Sequence, residues 1–355
     1  MTAPEGINEQ QVTDWLVATL SSRGGPPVEP PLTFELIAGG RSNLTYGVTD
    51  ATGRKLVLRR PPISHVLATA HDMGREHRII SALAGSDVPV PTTLGLCTDE
   101  SVNDRPFYVM DFVEGHILRN VSEVEKALDE KAQRVAGEDL VDVLARLHDV
   151  DVDAVGLGEL GRKDGYLQRQ LKRWYGQFQR SQEQEREAGV HRPAPIVDEV
   201  HELLVKAAPE QQGVAIVHGD YRLDNTVIGD DGHVRAVLDW ELCTLGDPLA
   251  DVGILLAYWT DRGDNTTLAL NAATTAPGFP TSKELAQLYA DRSPLDLSVL
   301  PYYVAFAYWK LACIVEGVYV RYASGAMGKQ DDSTAFFADM VLDRAEKARD
   351  ALAAL

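Results

Sequence analysis

Val12, Trp15, Leu16 and Leu20 recur at helical spacing near the start of the chain, and the spacing predicts an amphipathic helix over residues 8–20. Gly24-Gly25-Pro26-Pro27-Val28-Glu29-Pro30-Pro31 can continue no regular element and reads as a linker. The period then changes. Phe34 to Ile37, Leu44 to Val48 and Leu56 to Leu58 are short β-rich runs separated by Gly-Gly and by Thr52-Gly53, the pattern of an antiparallel meander. A helix is expected over roughly 68–84 with Met73, His77, Ile80 and Ala84 on one side, then strands near Thr93–Cys97 and Phe107–Phe112.

Beyond Gly115 the pattern is mostly helical. Leu140, Val143, Leu144 and Leu147 form an i, i+3, i+4, i+7 stripe, and Leu167, Leu171, Trp174 and Phe178 form another within a polar, basic segment at 162–192. Val214–Val217 reads as a short buried strand. Thr226–Ile228 and Val234–Leu238 flank Asp230-Asp231-Gly232, a good hairpin turn. From about residue 248 helices alternate with Pro/Gly/Thr-rich loops, and no internal repeat is visible. The expected fold is α+β and bilobal. Residues 1–31 carry the first helix and linker, 32–114 a small antiparallel β lobe with one helix, and 115–355 a larger helical lobe with 162–192 as a cap insertion.

Composition narrows the function. The 355 residues are 45% hydrophobic, enough for a substantial core, and carry a formal charge of -19. Such an acidic surface repels nucleic acid and anionic membranes, so neither is an expected partner. Cys97, Cys243 and Cys313 stand far apart, which fits free thiols in a reducing cytoplasm. The first residues lack a basic stretch followed by an apolar one, so no signal peptide is expected. The longest apolar stretch is read as lying around Ile254 to Trp259, far below the ~20 residues of a membrane span.

The informative segment is His218-Gly219-Asp220-Tyr221-Arg222-Leu223-Asp224-Asn225, directly after a strand. Nineteen residues past Asp220 stands Asp239, at the tip of another strand in Val237-Leu238-Asp239-Trp240. Phosphoryl transfer requires a carboxylate to orient and deprotonate the attacking hydroxyl, and oxygen ligands to hold Mg²⁺ against phosphates. The short hairpin between the two segments folds Asp239 back beside Asn225. A second histidine cluster near His218 is absent, which argues against a metallohydrolase.

His218-x-Asp220-x4-Asn225 followed by Leu238-Asp239-Trp240 resembles the aminoglycoside phosphotransferase and choline kinase family, relatives of the protein kinases. The likeness runs from about residue 34 to about 320. Ser42-Asn43-Leu44-Thr45-Tyr46, Leu58-Arg59-Arg60-Pro61-Pro62 and the run from Asp239 through Gly246-Asp247-Pro248-Leu249-Ala250-Asp251 are most similar to kinase-like domains associated with acyl-CoA dehydrogenases. The resemblance implies a protein-kinase-like fold with ATP in the cleft and one or two Mg²⁺. It makes Asp220 the catalytic base, Asn225 and Asp239 the metal ligands, and His218 a structural brace. Arg222 stands where protein kinases carry a Lys near the γ-phosphate and would neutralise transition-state charge.

In the first lobe, Gly40, Arg41, Ser42 and Asn43 occupy the place of a glycine-rich phosphate loop, although a plain hairpin turn has the same composition. Arg59 departs from the family lysine that holds the α- and β-phosphates; its fork of donors could bridge phosphate and Glu76, with Arg60 as the competing candidate. Phe107 to Gly115 resembles the strand and hinge against which adenine lies, with Met110 packing at the back and Asp111 and Val113 beside the base. Asp247 at N-cap and Pro248 at N1 start a helix whose first turn holds Asp251, and in the family this Asp braces the catalytic loop.

Gly219 in place of Arg in His-Arg-Asp, Asp-Trp-Glu in place of Asp-Phe-Gly, and the absence of Ala-Pro-Glu separate the chain from protein kinases. The expected reaction is ATP- and Mg²⁺-dependent phosphorylation of a small-molecule hydroxyl. A true aminoglycoside phosphotransferase and a non-catalytic pseudokinase are the alternatives. The choice between GTP and ATP and between monomer and homodimer stays open. The basic segment 162–192 suggests that Arg169, Lys172 and Arg173 attract an anionic acceptor such as a hydroxylated acyl-CoA, with a solvated helix face as the plainer explanation.

Overall fold

The computed structural model describes residues 4–24, 26–38, 43–63, 72–264, 272–325 and 333–355; Gly40, Arg41 and Ser42 of the expected phosphate loop lie outside the described residues. Five strands, β1 (Thr33–Ala38), β2 (Leu44–Thr49), β3 (Lys55–Arg60), β4 (Thr93–Cys97) and β5 (Phe107–Asp111), form one antiparallel sheet in the order β1-β2-β3-β5-β4. Both sheet faces are covered, and strand alternation divides the side chains between them. Leu56, Leu58, Phe107 and Val109 pack with Val12, Leu16 and Leu20 of helix α1 (Glu9–Ser22). Trp15 meets Phe107 edge-on and covers Gly95, where a Cβ would lie 2.9 Å from the indole. The first helix is therefore part of the small lobe's core.

The opposite face carries Val57, Arg59, Tyr108 and Met110, which meet helix α2 (Met73–Leu83) and the large lobe. Asp72 caps α2 by accepting from the Arg75 N–H at 3.0 Å. The buried face of α2 is Met73, Glu76, Ile79, Ile80 and Leu83; His77 is half-buried and Ala84 exposed, so the expected stripe is corrected at those two positions. Glu76 enters the core because it has charged and hydroxyl partners there, a gain that apolar spacing does not reveal.

The large lobe contains α3 (Val121–Ala127), α4 (Glu130–His148), α5 (Tyr166–Ala188), α6 (Pro195–Ala207), α7 (Leu249–Tyr258), α8 (Ser282–Ala290), α9 (Leu300–Ala323) and α10 (Ser333–Leu352). Between α6 and α7 run four short strands, β6 (Ala215–Val217), β7 (Thr226–Ile228), β8 (Val234–Val237) and β9 (Thr244–Gly246). β7 and β8 form the expected hairpin, and β6 pairs antiparallel with β9. The α5 stripe of Leu167, Leu171, Trp174 and Phe178 is buried in the same core as α9. Helix α7 begins at Leu249 with Pro248 as its cap residue, one position later than the expected start.

Residues Leu297–Ala323 are long and apolar enough to cross a membrane, a stretch far longer than Ile254–Trp259, but most of its apolar part is buried inside the protein. It is the central helix of the large lobe and carries buried Lys310 and Glu316.

Candidate functional site

The loop after β6 is held by its own backbone. Asp251 on α7 accepts the N–H of His218 at 2.6 Å and of Gly219 at 2.8 Å. Burial pushes the Asp251 carboxyl up, but bonding to His148 and these N–H groups outweighs it and holds the group below its ordinary value. His218 Nδ1 accepts from the Asp220 N–H at 3.3 Å, which makes Nε2 the protonated nitrogen that donates to the Leu238 carbonyl at 2.9 Å. Gly219 has φ +84, and a Cβ there would lie 2.9 Å from the Leu242 carbonyl oxygen. Only glycine suits that position.

Asp220 follows at the mouth of the loop. Its Oδ2 accepts from Asn225 Nδ2 at 2.9 Å and from Arg222 Nε at 3.2 Å. Arg222 also pairs with Asp224 at 2.8 Å and lies over the Tyr258 ring. A single 3₁₀ turn, Leu223–Asn225, returns the chain to β7. Leu238 donates to the Asn225 carbonyl at 2.8 Å, so the hairpin delivers Asp239 next to Asn225. Asp220, Arg222, Asn225 and Asp239 are thus brought together.

Asp239 has φ 64, the only positive-φ non-glycine among the described residues, an unfavourable backbone that recurs where side chains are aimed for function. Its Oδ1 pairs with Arg59 Nη2 at 2.9 Å. Arg59 Nε lies 3.6 Å from Glu76 Oε2, and Glu76 accepts from Asn43 Nδ2 at 2.6 Å and Tyr108 OH at 3.0 Å. Arg59 therefore faces the cleft, and carries Asp239 as a partner that spacing did not suggest. Although burial works against its charge, Tyr108, Glu76 and Asp239 together raise the guanidinium's proton affinity. Arg60 points the other way, fully buried against α1's side of the sheet and paired with Asp104 at 3.0 Å. Alternation along β3 settles the choice between them.

A cleft cavity of about 440 Å³ between the lobes is lined by Asn43, Arg59, Met110, Val113, Asn225 and Asp239. Asp111 also lines it, but its carboxylate pairs with Arg54 at 3.2 Å. A cavity of about 200 Å³ opens next to it, between α2, α5 and the loop after Asp239, with Arg75, Gln170, Arg173 and Glu241 in its wall. Arg75 Nη2 donates to the Cys243 carbonyl at 2.5 Å, and Arg173 lies over Trp174. Arg173, like Lys172, is exposed by surface area, but partial desolvation in this wall lowers its proton affinity, and the nearby charge of Arg75 adds to that. Of the expected basic trio, only Arg173 lines this cavity; Arg169 donates to the Arg162 carbonyl and Lys172 is exposed.

Two functional candidates escaped sequence reasoning. Glu241 was visible only as part of a motif. Its Oε2 is buried with no partner, and burial, then the charges of Asp239 and Glu76, push its carboxyl up to about 7. Lys310 donates to the Gly219 carbonyl at 2.6 Å. Its signal was a solitary lysine inside the apolar run Tyr302–Cys313. Among the described residues, no group of three His, Cys, Asp or Glu side chains forms a metal site.

Residues 33–285 match the APH phosphotransferase enzyme family. Mouse acyl-CoA dehydrogenase family member 10 is 35% identical over 327 residues, covering 90% of this chain and 29% of that protein. Chicken acyl-CoA dehydrogenase family member 11 is 33% identical over 332 residues, covering 91% of this chain and 41% of that protein. The chain spans less than half the length of these curated relatives. A solved Ralstonia eutropha structure, assigned by name as an aminoglycoside phosphotransferase, superposes with TM-score 0.75 at 29% identity, covering 96% of this chain and 98% of its own. A phosphotransferase solved with ADP and hygromycin B shares the fold at TM-score 0.58 and 14% identity, covering 95% of this chain and 99% of its own. With the family match across both lobes and a protein-kinase-like fold, this chain belongs to the APH phosphotransferase family, the small-molecule kinases.

Proposed function

We propose that the chain transfers the γ-phosphate of ATP to a hydroxyl group of a small anionic molecule, with Mg²⁺ in the cleft. The observation that carries this reading is the convergence of Asp220, Asn225 and Asp239 on one loop and hairpin, with Asn225 and Asp239 lining the inter-lobe cavity and Arg222 beside Asp220 lining a separate cavity of about 140 Å³. Solved relatives of the same fold hold ADP, AMP-PNP and small-molecule acceptors, which supports nucleotide in the cleft here.

The donor set suits a hard cation. Asn225 spends its amide nitrogen on Asp220, so Oδ1 is the atom offered to a metal; Asp239 supplies a carboxylate, and the unpartnered Glu241 Oε2 lies in the same electrostatic neighbourhood. Mg²⁺ so held would neutralise phosphate charge in the transition state. Asp220 is fixed through Oδ2, which leaves Oδ1 to take the acceptor proton. Arg222 contributes positive charge beside the reacting groups, and its pairs with Asp220 and Asp224 hold it there. Met110 and Val113 supply apolar contact for the base, while Arg59 exchanges between Asp239 and phosphate.

An anionic acceptor is supported by Arg75 and Arg173, which wall one cavity without a carboxylate ion pair of their own among the described residues; of the carboxyl groups there, Asp72 and Glu76 are already bonded, and burial with neighbouring negative charge pushes Glu241 up to about 7, towards its neutral form. A hydroxylated acyl-CoA, with phosphates suited to guanidinium groups, is the acceptor class we favour. Three buried, unpaired cysteines support a cytoplasmic setting. Measuring ATP consumption against hydroxyacyl-CoAs, neutral sugars and kanamycin tests this. Turnover with a phosphate-bearing alcohol that falls with salt is the expected result. Efficient kanamycin phosphorylation with no activity on anionic alcohols overturns the acceptor reading, and absence of Mg·ATP binding overturns the whole.

A further inference from the structure

Helix α9 is apolar along most of its length, yet Lys310 near its middle is only 3% exposed. A buried ammonium is costly unless bonded to fixed partners. Its Nζ donates to the Gly219 carbonyl at 2.6 Å and lies 5.2 Å from the centre of the Trp174 ring. The N–H groups of His218 and Gly219 meanwhile go to Asp251. The chain entering Asp220 is thus held between a buried carboxylate on its N–H groups and a buried ammonium on its carbonyl. The Gly219 carbonyl and the Asp220 N–H share one rigid peptide plane. Whatever fixes that carbonyl fixes the direction in which Asp220 leaves.

We propose that Lys310 is a positioning residue for the reaction: its protonated amine locks the Gly219–Asp220 peptide, and phosphoryl transfer is lost when that charge is lost. Lys310 does not touch the reacting groups; it acts through the loop. The inference rests on Asp220 being the base. The charged groups facing the amine are Asp220 in the loop, Asp251 on α7 and Arg173 on α5. Burial lowers its proton affinity to about 8, the two carboxylates raise it, and Arg173 works against it.

The experiment compares the wild-type chain with Lys310→Met. It measures Mg·ATP turnover with water as the acceptor, Mg·ATP affinity by calorimetry, and thermal stability, each across roughly pH 7 to 10. Wild-type kcat should fall as pH rises through about 8, with nucleotide affinity unchanged. Lys310→Met should bind Mg·ATP normally, turn over on the order of 10²-fold more slowly at neutral pH, and lack that alkaline limb. Stability gives an independent reading. The folded lysine loses its proton before the unfolded one, so the unfolded state holds more protons above pH about 8. Wild-type stability should then rise relative to the variant as pH climbs. A variant with wild-type turnover and pH profile, or a stability difference flat in pH, overturns the inference. A wild type that fails to bind Mg·ATP overturns the phosphotransferase reading, and this one with it.

Discussion

Two buried polar networks adjoin the loop at Asp220, and they are built differently. On one side, Asp251 and Lys310 bond to backbone N–H and carbonyl groups of the loop itself. On the other, Arg59, Glu76, Asp239, Asn43 and Tyr108 bond to one another through side chains drawn from several elements. In the first arrangement one end of every bond is a backbone group of the loop, so these bonds hold the loop itself. The second can exchange partners by side-chain rotation, because every link in it is a rotatable group. On the function proposed above, this is a division of labour: the backbone-anchored side would aim Asp220 as the base, and the side-chain network would adjust to phosphates and a cation that carry charge of their own.

The largest expected effect is on the aimed side. Asp220→Asn should lower kcat by a factor on the order of 10²–10⁴ while leaving Mg·ATP affinity nearly intact, since the amide preserves the loop's shape. Steady-state kinetics on the active acceptor decides it, and near-normal turnover removes Asp220 from the base role. On the adjustable side, Asp239→Ala should weaken Mg·ATP binding by at least about 10–100-fold and reduce its metal dependence. Calorimetry showing unchanged affinity would mean that Asp239 serves only its ion pair with Arg59.

A smaller effect is expected from Arg59→Lys. It replaces the planar fork by a point charge, and KM for ATP should rise roughly tenfold, the worth of one charge-assisted hydrogen bond. Arg60→Lys, on the opposite sheet face, should alter stability and spare KM; the reverse ranking contradicts the assignment of the cleft face.

The smallest effect lies away from both networks. Burial, then the neighbouring Glu185, raise the Glu316 carboxyl to about 8, against the pull of Arg192. A raised folded-state value contributes stability below the ordinary glutamate range and loses it as pH rises through about 8. Glu316→Gln should therefore gain on wild type in melting temperature between pH about 6 and 8.5, with little change in kcat. A pH-independent difference would show that the proton is not held there.

The sequence by itself determined the five strands of the small lobe, the mostly helical character of the rest and the β7–β8 hairpin that brings Asp239 beside Asn225. Those features are written in short-range periodicity and in the spacing of His218, Asp220, Asn225 and Asp239, which a strand–turn–strand geometry converts directly into proximity. It left Arg59 and Arg60 unresolved because Leu56-Val57-Leu58 is apolar on both faces, so alternation had no polar side to mark. Only the tertiary structure decided that question, by placing α1 on one face and α2 on the other. It alone also showed the Arg59–Asp239 pair, 180 residues apart in the chain, and the reach of Lys310 to Gly219 across 91. The physical reason is range. Periodicity reports what a residue faces within its own element, whereas the partner of a buried charge is set by which distant element packs there, and Lys310 within an apolar helix carries no local mark of the loop it holds.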